Sequence, residues 1–165
     1  MAEEADKAEQ PPLAVVATEV KASTTSAYPA PFASRVAGRE KRRLARLFGL
    51  RNIGVNLTTL APGAQSALKH RHTRAEEFVY ILSGSATLIT DSGERELTPG
   101  MCAGFPPGGV AHHLVNRGAE PVVYLEIGDN PPDDAAQYPD DDLAVQRDEN
   151  GNWRFTRSNG APLRD

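Results

Sequence analysis

From Ile53 onward the chain is interrupted every few residues by turn signals, and between them apolar and polar residues alternate. Val55, Leu57 and Thr59 interleave with Gly54, Asn56 and Thr58 and stop at Ala61-Pro62-Gly63. Similar runs cover 66–72, 78–82, 86–90, 94–97, 101–105, 112–116 and 122–127, separated by Gly84, Asp91-Ser92-Gly93 and Pro99-Gly100. A period of two places alternate side chains on opposite faces of a strand. No helical period lies between the runs, so the chain reads as an all-β antiparallel sandwich or barrel.

The flanks differ in composition. Residues 1–12 are charged, close at Pro11-Pro12 and read as a disordered tail. Residues 13–52 read as an N-terminal extension packing on the barrel, with a strand-like stretch over 13–20 and irregular surface chain over 23–31. The basic stretch 39–51 could serve a phosphate or a nucleic acid. The preferred reading is a solvated edge element anchored by Leu44 and by Leu47 or Phe48. Residues 53–128 form the barrel core. Over 129–165 the chain reads as an acidic crossing and a last strand. The six Asp of 129–142 suggest surface, and Trp153 and Phe155 give the strand one apolar face.

Several classes of function are disfavoured. A net charge of −4 argues against a general nucleic-acid binder, and no helix-turn-helix pattern is visible. No run approaches the roughly 20 apolar residues of a membrane span. The start Met1-Ala2-Glu3-Glu4 lacks the basic and apolar parts of a secretory signal, so a cytoplasmic protein is expected. The single cysteine, Cys102, lies between Met101 and Ala103 and reads as an inert buried thiol. Phe78 and Tyr80, opposite in parity to Glu77, read as packing residues.

Chemistry concentrates in three of the four histidines. His70 and His72, two apart on a strand, present both imidazoles to one face. Glu77 shares parity with Val79 and Ile81, which favours it over Glu76. His112 is favoured over His113 by its interval to Asn116. Three imidazoles and one carboxylate make a site suited to one divalent transition metal, Fe, Mn, Zn or Ni, with positions left open for water or substrate.

These residues fall into two spaced motifs, Gly63–His70–His72–Glu77–Gly84 and Gly100–Pro107–Gly109–His112–Asn116. They resemble the two motifs of the cupin superfamily. Four residues separate His72 from Glu77 and six separate Glu77 from Gly84, as in that family. The intervals Gly63–His70 and Gly100–Pro107 are each one residue longer than the family's. The resemblance implies an antiparallel double-stranded β-helix (jelly-roll or cupin barrel), often homodimeric, with a metal near its centre at His70, His72, Glu77 and His112. It also implies a small-molecule ligand or substrate. A metal-dependent dioxygenase, or an isomerase or lyase of the sugar-phosphate isomerase kind, is the leading expectation. A non-catalytic metabolite-binding or sensor barrel is the alternative. A metal-free structural barrel is the weakest reading.

Overall fold

The computed structural model describes residues 10–163; the first nine residues of the expected tail lie outside them. Twelve strands run in chain order: β1 (Arg39–Arg43), β2 (Ile53–Leu60), β3 (Arg71–His72), β4 (Glu77–Ser83), β5 (Ala86–Thr90), β6 (Gly93–Leu97), β7 (Cys102–Phe105), β8 (His112–Val115), β9 (Val122–Asp129), β10 (Ala135–Tyr138), β11 (Leu143–Arg147) and β12 (Trp153–Thr156). One four-residue helix, α1 (Leu44–Leu47), interrupts them. No helix among the described residues is long and apolar enough to cross a membrane.

The strands form a double-stranded β-helix of antiparallel sheets. One sheet has the order β1-β2-β9-β4-β7. The other combines β6-β5-β8 with β3-β10-β11-β12, joined by a bridge between His70 and His112. Each sheet turns its apolar side chains toward the other, as two-layer packing requires. In β4, Val79 and Ile81 are buried and Phe78 and Tyr80 are exposed.

Two apolar clusters fill the interior. The first gathers Leu60, Ile81, Leu88, Leu97, Leu114 and Val122 from the barrel strands. The second gathers Leu68, Ala136, Tyr138, Leu143 and Val145, with Trp153 and Phe155 packed against it. Residues 129–142 are therefore not only a surface crossing. They supply β10, and they bury Ala136, Tyr138 and Asp134.

Other local expectations are also corrected. Residues 13–20 hold a short 3-10 turn, Ala17–Glu19, and no strand. The run 66–72 is a strand only at Arg71–His72, with isolated bridges at Gln65 and His70. This broken stretch absorbs the extra residue after Gly63, which turns the chain at a φ of 78°. Beyond β1, the anchor against β2 is buried Ala45, while Leu47 is exposed. Cys102 is a free, exposed thiol on the edge strand β7, because alternation turns it outward beside Tyr80.

Candidate metal centre

Four side chains meet where the two clusters adjoin. Glu77 opens β4, His72 ends β3, and His112 opens β8 directly opposite His70. Glu77 Oε2 lies 3.0 Å from His112 Nε2 and 3.4 Å from His70 Nε2. Glu77 Oε1 lies 3.7 Å from His72 Nε2. One ligand atom each from His70, Glu77 and His112 falls within 4.8 Å of the others. His72 falls outside that three-residue set, although its Nε2 approaches the other oxygen of the same carboxylate.

The other ring nitrogens explain the arrangement. His70 Nδ1 faces the Leu68 carbonyl at 2.8 Å, and His112 Nδ1 faces the Val110 carbonyl at 3.3 Å. His72 Nδ1 lies 2.5 Å from Asp134 Oδ2. Each partner can only accept, so each Nδ1 donates, and in the neutral ring the lone pair sits on Nε2. Three lone pairs then converge on a carboxylate. Glu77 Oε2 is buried with no hydrogen bond of good geometry, so its 3.0 Å contact is a close approach between two acceptors. A cation among the facing atoms of His70, Glu77 and His112 would relieve that contact, with His72 beside the same carboxylate, so the donor set fits a transition metal.

Two rings brace the histidines. Phe105 stacks on His112 with centroids 3.4 Å apart and planes at 2°, and Tyr138 stacks on His70 at 5.7 Å and 27°. Burial alone would raise the Glu77 carboxyl pKa. When the imidazoles carry a second proton, hydrogen bonds from His112 and His70 and the charges of His70 and His72 outweigh it and hold the group well below the usual carboxylate range. For His72, burial works downward, but the Asp134 bond and the charges of Glu77 and Asp134 raise the pKa.

Asp134 was not found by reading the sequence. It is almost wholly buried, and its Oδ1 accepts from the backbone N–H groups of Arg74 and Ala75 at 3.0 and 3.1 Å. One carboxylate thus pins both His72 and the turn leading to Glu77, a support common around metal-binding histidines. No motif marks it among its five acidic neighbours. Glu76 is exposed, and His113 Nδ1 meets the Ala67 carbonyl at 3.0 Å, away from the cluster. Asn116 is fully buried and bonds the Leu60 and Glu120 carbonyls, which shapes the turn after β8.

The cluster opens into a cavity of about 330 Å3. Its walls include Trp153 and Phe155, which therefore face inward rather than forming an outer patch. They also include Arg39, Lys41 and Arg43, so the basic stretch is an edge strand as expected but one row of it is not left to solvent. It pairs as β1 along β2, and its alternate residues point into the barrel.

A two-sheeted double-stranded β-helix with a convergent three-His, one-Glu cluster defines the class. The chain belongs to the cupin superfamily. Residues 56–128 match the Cupin domain family. A crystal structure of a sugar phosphate isomerase from the cupin superfamily of Silicibacter pomeroyi DSS-3 is 38% identical, covering 89% of this chain and 94% of that one, with a TM-score of 0.85. A proposed sugar phosphate isomerase from Acidithiobacillus ferrooxidans ATCC 23270 is 32% identical, covering 79% and 83%, with a TM-score of 0.71. Oxalate decarboxylase of Bacillus subtilis (strain 168) is 33% identical over 81 residues, which is 47% of this chain and only 21% of that protein.

Proposed function

We propose that the protein is a metal-dependent isomerase of a small phosphorylated sugar. The observation that carries this reading is the His–Glu cluster opening on a cavity, in a chain alike over most of its length to a sugar phosphate isomerase. His70, His72, Glu77 and His112 would hold one divalent ion, Fe, Mn, Zn or Ni. That ion would supply Lewis acidity toward adjacent substrate oxygens.

Aldose–ketose exchange moves one proton between neighbouring carbons and one between the oxygens they carry, and the carbon transfer requires a base beside the cluster. Glu126 of β9 suits that role. It lines the same cavity, and its Oε1 accepts from Lys41 Nζ at 2.5 Å and from Asn56 Nδ2 at 3.2 Å. Both bonds go to Oε1, which leaves Oε2 to take the proton from one carbon and return it to the next. Trp153, Phe155 and Phe105 exclude water from that transfer.

The brevity of the oxalate decarboxylase match makes that chemistry the weaker alternative, and a dioxygenase finds no closer support. A metabolite-binding barrel without catalysis would keep the cluster but would not need Glu126. Incubating the metal-loaded protein with aldose phosphates in D2O separates these readings. Ketose formation with deuterium on carbon supports the isomerase. Binding without exchange, for a panel of tetrose to hexose phosphates, contradicts it.

We also propose a homodimer. The outer face of β4 exposes Phe78, Tyr80 and Leu82, which nothing among the described residues covers. An apolar patch of that kind commonly meets a second copy.

A further inference from the structure

We propose that Arg39, Lys41 and Tyr124 form an anion subsite, across the sheet from the His–Glu cluster, that receives the substrate's phosphoryl group. This rests on the isomerase reading only for the identity of the rest of the substrate.

Register places these residues together. Lys41 pairs with Thr58 and Thr58 with Tyr124, while Arg43 pairs with Asn56 and Asn56 with Glu126. The two rows continue to Ile81 and Val79 of β4, the strand that begins with Glu77. From β1 to β4 is three strand spacings, about 14 Å, before the long basic side chains reach inward. One small extended molecule can therefore touch both ends.

Arg39 is 9% exposed, yet among the described residues no carboxylate lies within ion-pair distance of it. Its guanidinium meets only the Ser66 carbonyl. Burying a guanidinium without a counter-charge is costly, and its planar fork matches phosphate oxygens. Tyr124 is fully buried in the cavity wall, and its hydroxyl has no hydrogen-bond partner. The neighbouring Thr58 hydroxyl is likewise unpartnered. Buried donors of this kind are normally satisfied. An incoming anion would satisfy the tyrosine and the arginine together.

The local charge agrees. Arg39, Lys41 and Arg43 face Glu126, with Glu77 committed to the histidines. A purely structural role for Arg39, tying β1 to the Ser66 turn, would leave the bare Tyr124 hydroxyl unexplained.

Calorimetric titration of the full chain, as purified with its metal, tests the subsite. The probes are ribose 5-phosphate, ribose and inorganic phosphate. The wild type is expected to bind the ester at least about ten-fold more tightly than ribose, since a bond to a charged group is worth roughly one to two orders of magnitude. Arg39→Gln and Tyr124→Phe should each remove much of that advantage and leave ribose binding unchanged. A His70→Ala, His112→Ala variant should still bind inorganic phosphate, which separates the subsite from the metal reading. Equal affinity for ester and ribose would overturn the proposal. So would phosphate binding that survives Arg39→Gln and Tyr124→Phe but vanishes with the histidines, since the anion would then sit on the metal. If Arg39→Gln does not fold, Tyr124→Phe, which removes one buried hydroxyl, decides.

Discussion

The strands from β2 to β9 and the segments flanking them contribute to one cavity in different ways. The central segment carries the four candidate ligand side chains at fixed intervals, so local spacing nearly specifies the proposed site. The flanks add β1 on one side and β10 to β12 on the other. They supply what surrounds the ligands: Asp134 behind His72, Tyr138 against His70, the basic row and the aromatic wall. The ligands are thus local in sequence, and their environment is assembled by long-range pairing. Fold-level likeness consequently says more about the metal than about the substrate.

The sharpest way to break this comparison is to weaken a flank and watch the centre. Leu143 is fully buried in the second cluster, so Leu143→Ala should cost about 2–5 kcal/mol in denaturant unfolding. A single cooperative transition that shifts as a whole would show that the flank is part of the barrel. A small loss confined to a separate transition would show it to be an appendage.

The matching perturbation in the centre is Gly84→Ala. Gly84 has a φ of 72°, and a Cβ there would lie 2.5 Å from the Pro121 carbonyl oxygen. A cost of about 3 kcal/mol in unfolding free energy is expected from strain plus that clash. A near-neutral result would mean that the turn after β4 relaxes freely and does not fix Glu77's strand.

Asp134→Asn tests the link between the two regions. An amide of the same size keeps the packing but loses the charge on His72 Nδ1. Metal affinity, measured by chelator competition, should fall about 10–100-fold with the fold retained. Unchanged affinity would reduce Asp134 to a turn-capping residue.

The smallest effect is expected at Cys102. Cys102→Ser on the exposed edge strand should change stability by no more than about 0.5 kcal/mol. The wild-type thiol lies beside Tyr80 on the face assigned to the dimer, so it should react slowly with a thiol reagent in the native protein and rapidly once unfolded, whereas rapid native modification would mean that this face stays open in solution.

The sequence made the strand pattern and the candidate His–Glu cluster legible because both obey short-range rules: a period of two, a carboxylate in phase with Val79 and Ile81, and a turn at Gly63. It misjudged residues whose surroundings come from elsewhere in the chain. The row Arg39, Lys41, Arg43 looked like a solvated edge, and only its register against Thr58 and Asn56 turns it inward. Asp134 looked like one of six interchangeable acids until β10 paired with β3. Cys102 looked buried because its neighbours are apolar, but an edge strand of alternating residues turns one face out. Phe78 and Tyr80 were read as packing from their parity opposite to Glu77, and they lie on the outer face of β4, away from the cavity.

The central claim is that His70, His72, Glu77 and His112 hold one metal ion. Elemental analysis of untagged protein, purified without chelator beside a His70→Ala, His112→Ala variant, tests it most directly. The account predicts about one equivalent of a divalent transition metal in the wild type, and loss of that metal in a variant that still folds. Equal metal in the two proteins, or none in either after reloading, would contradict it.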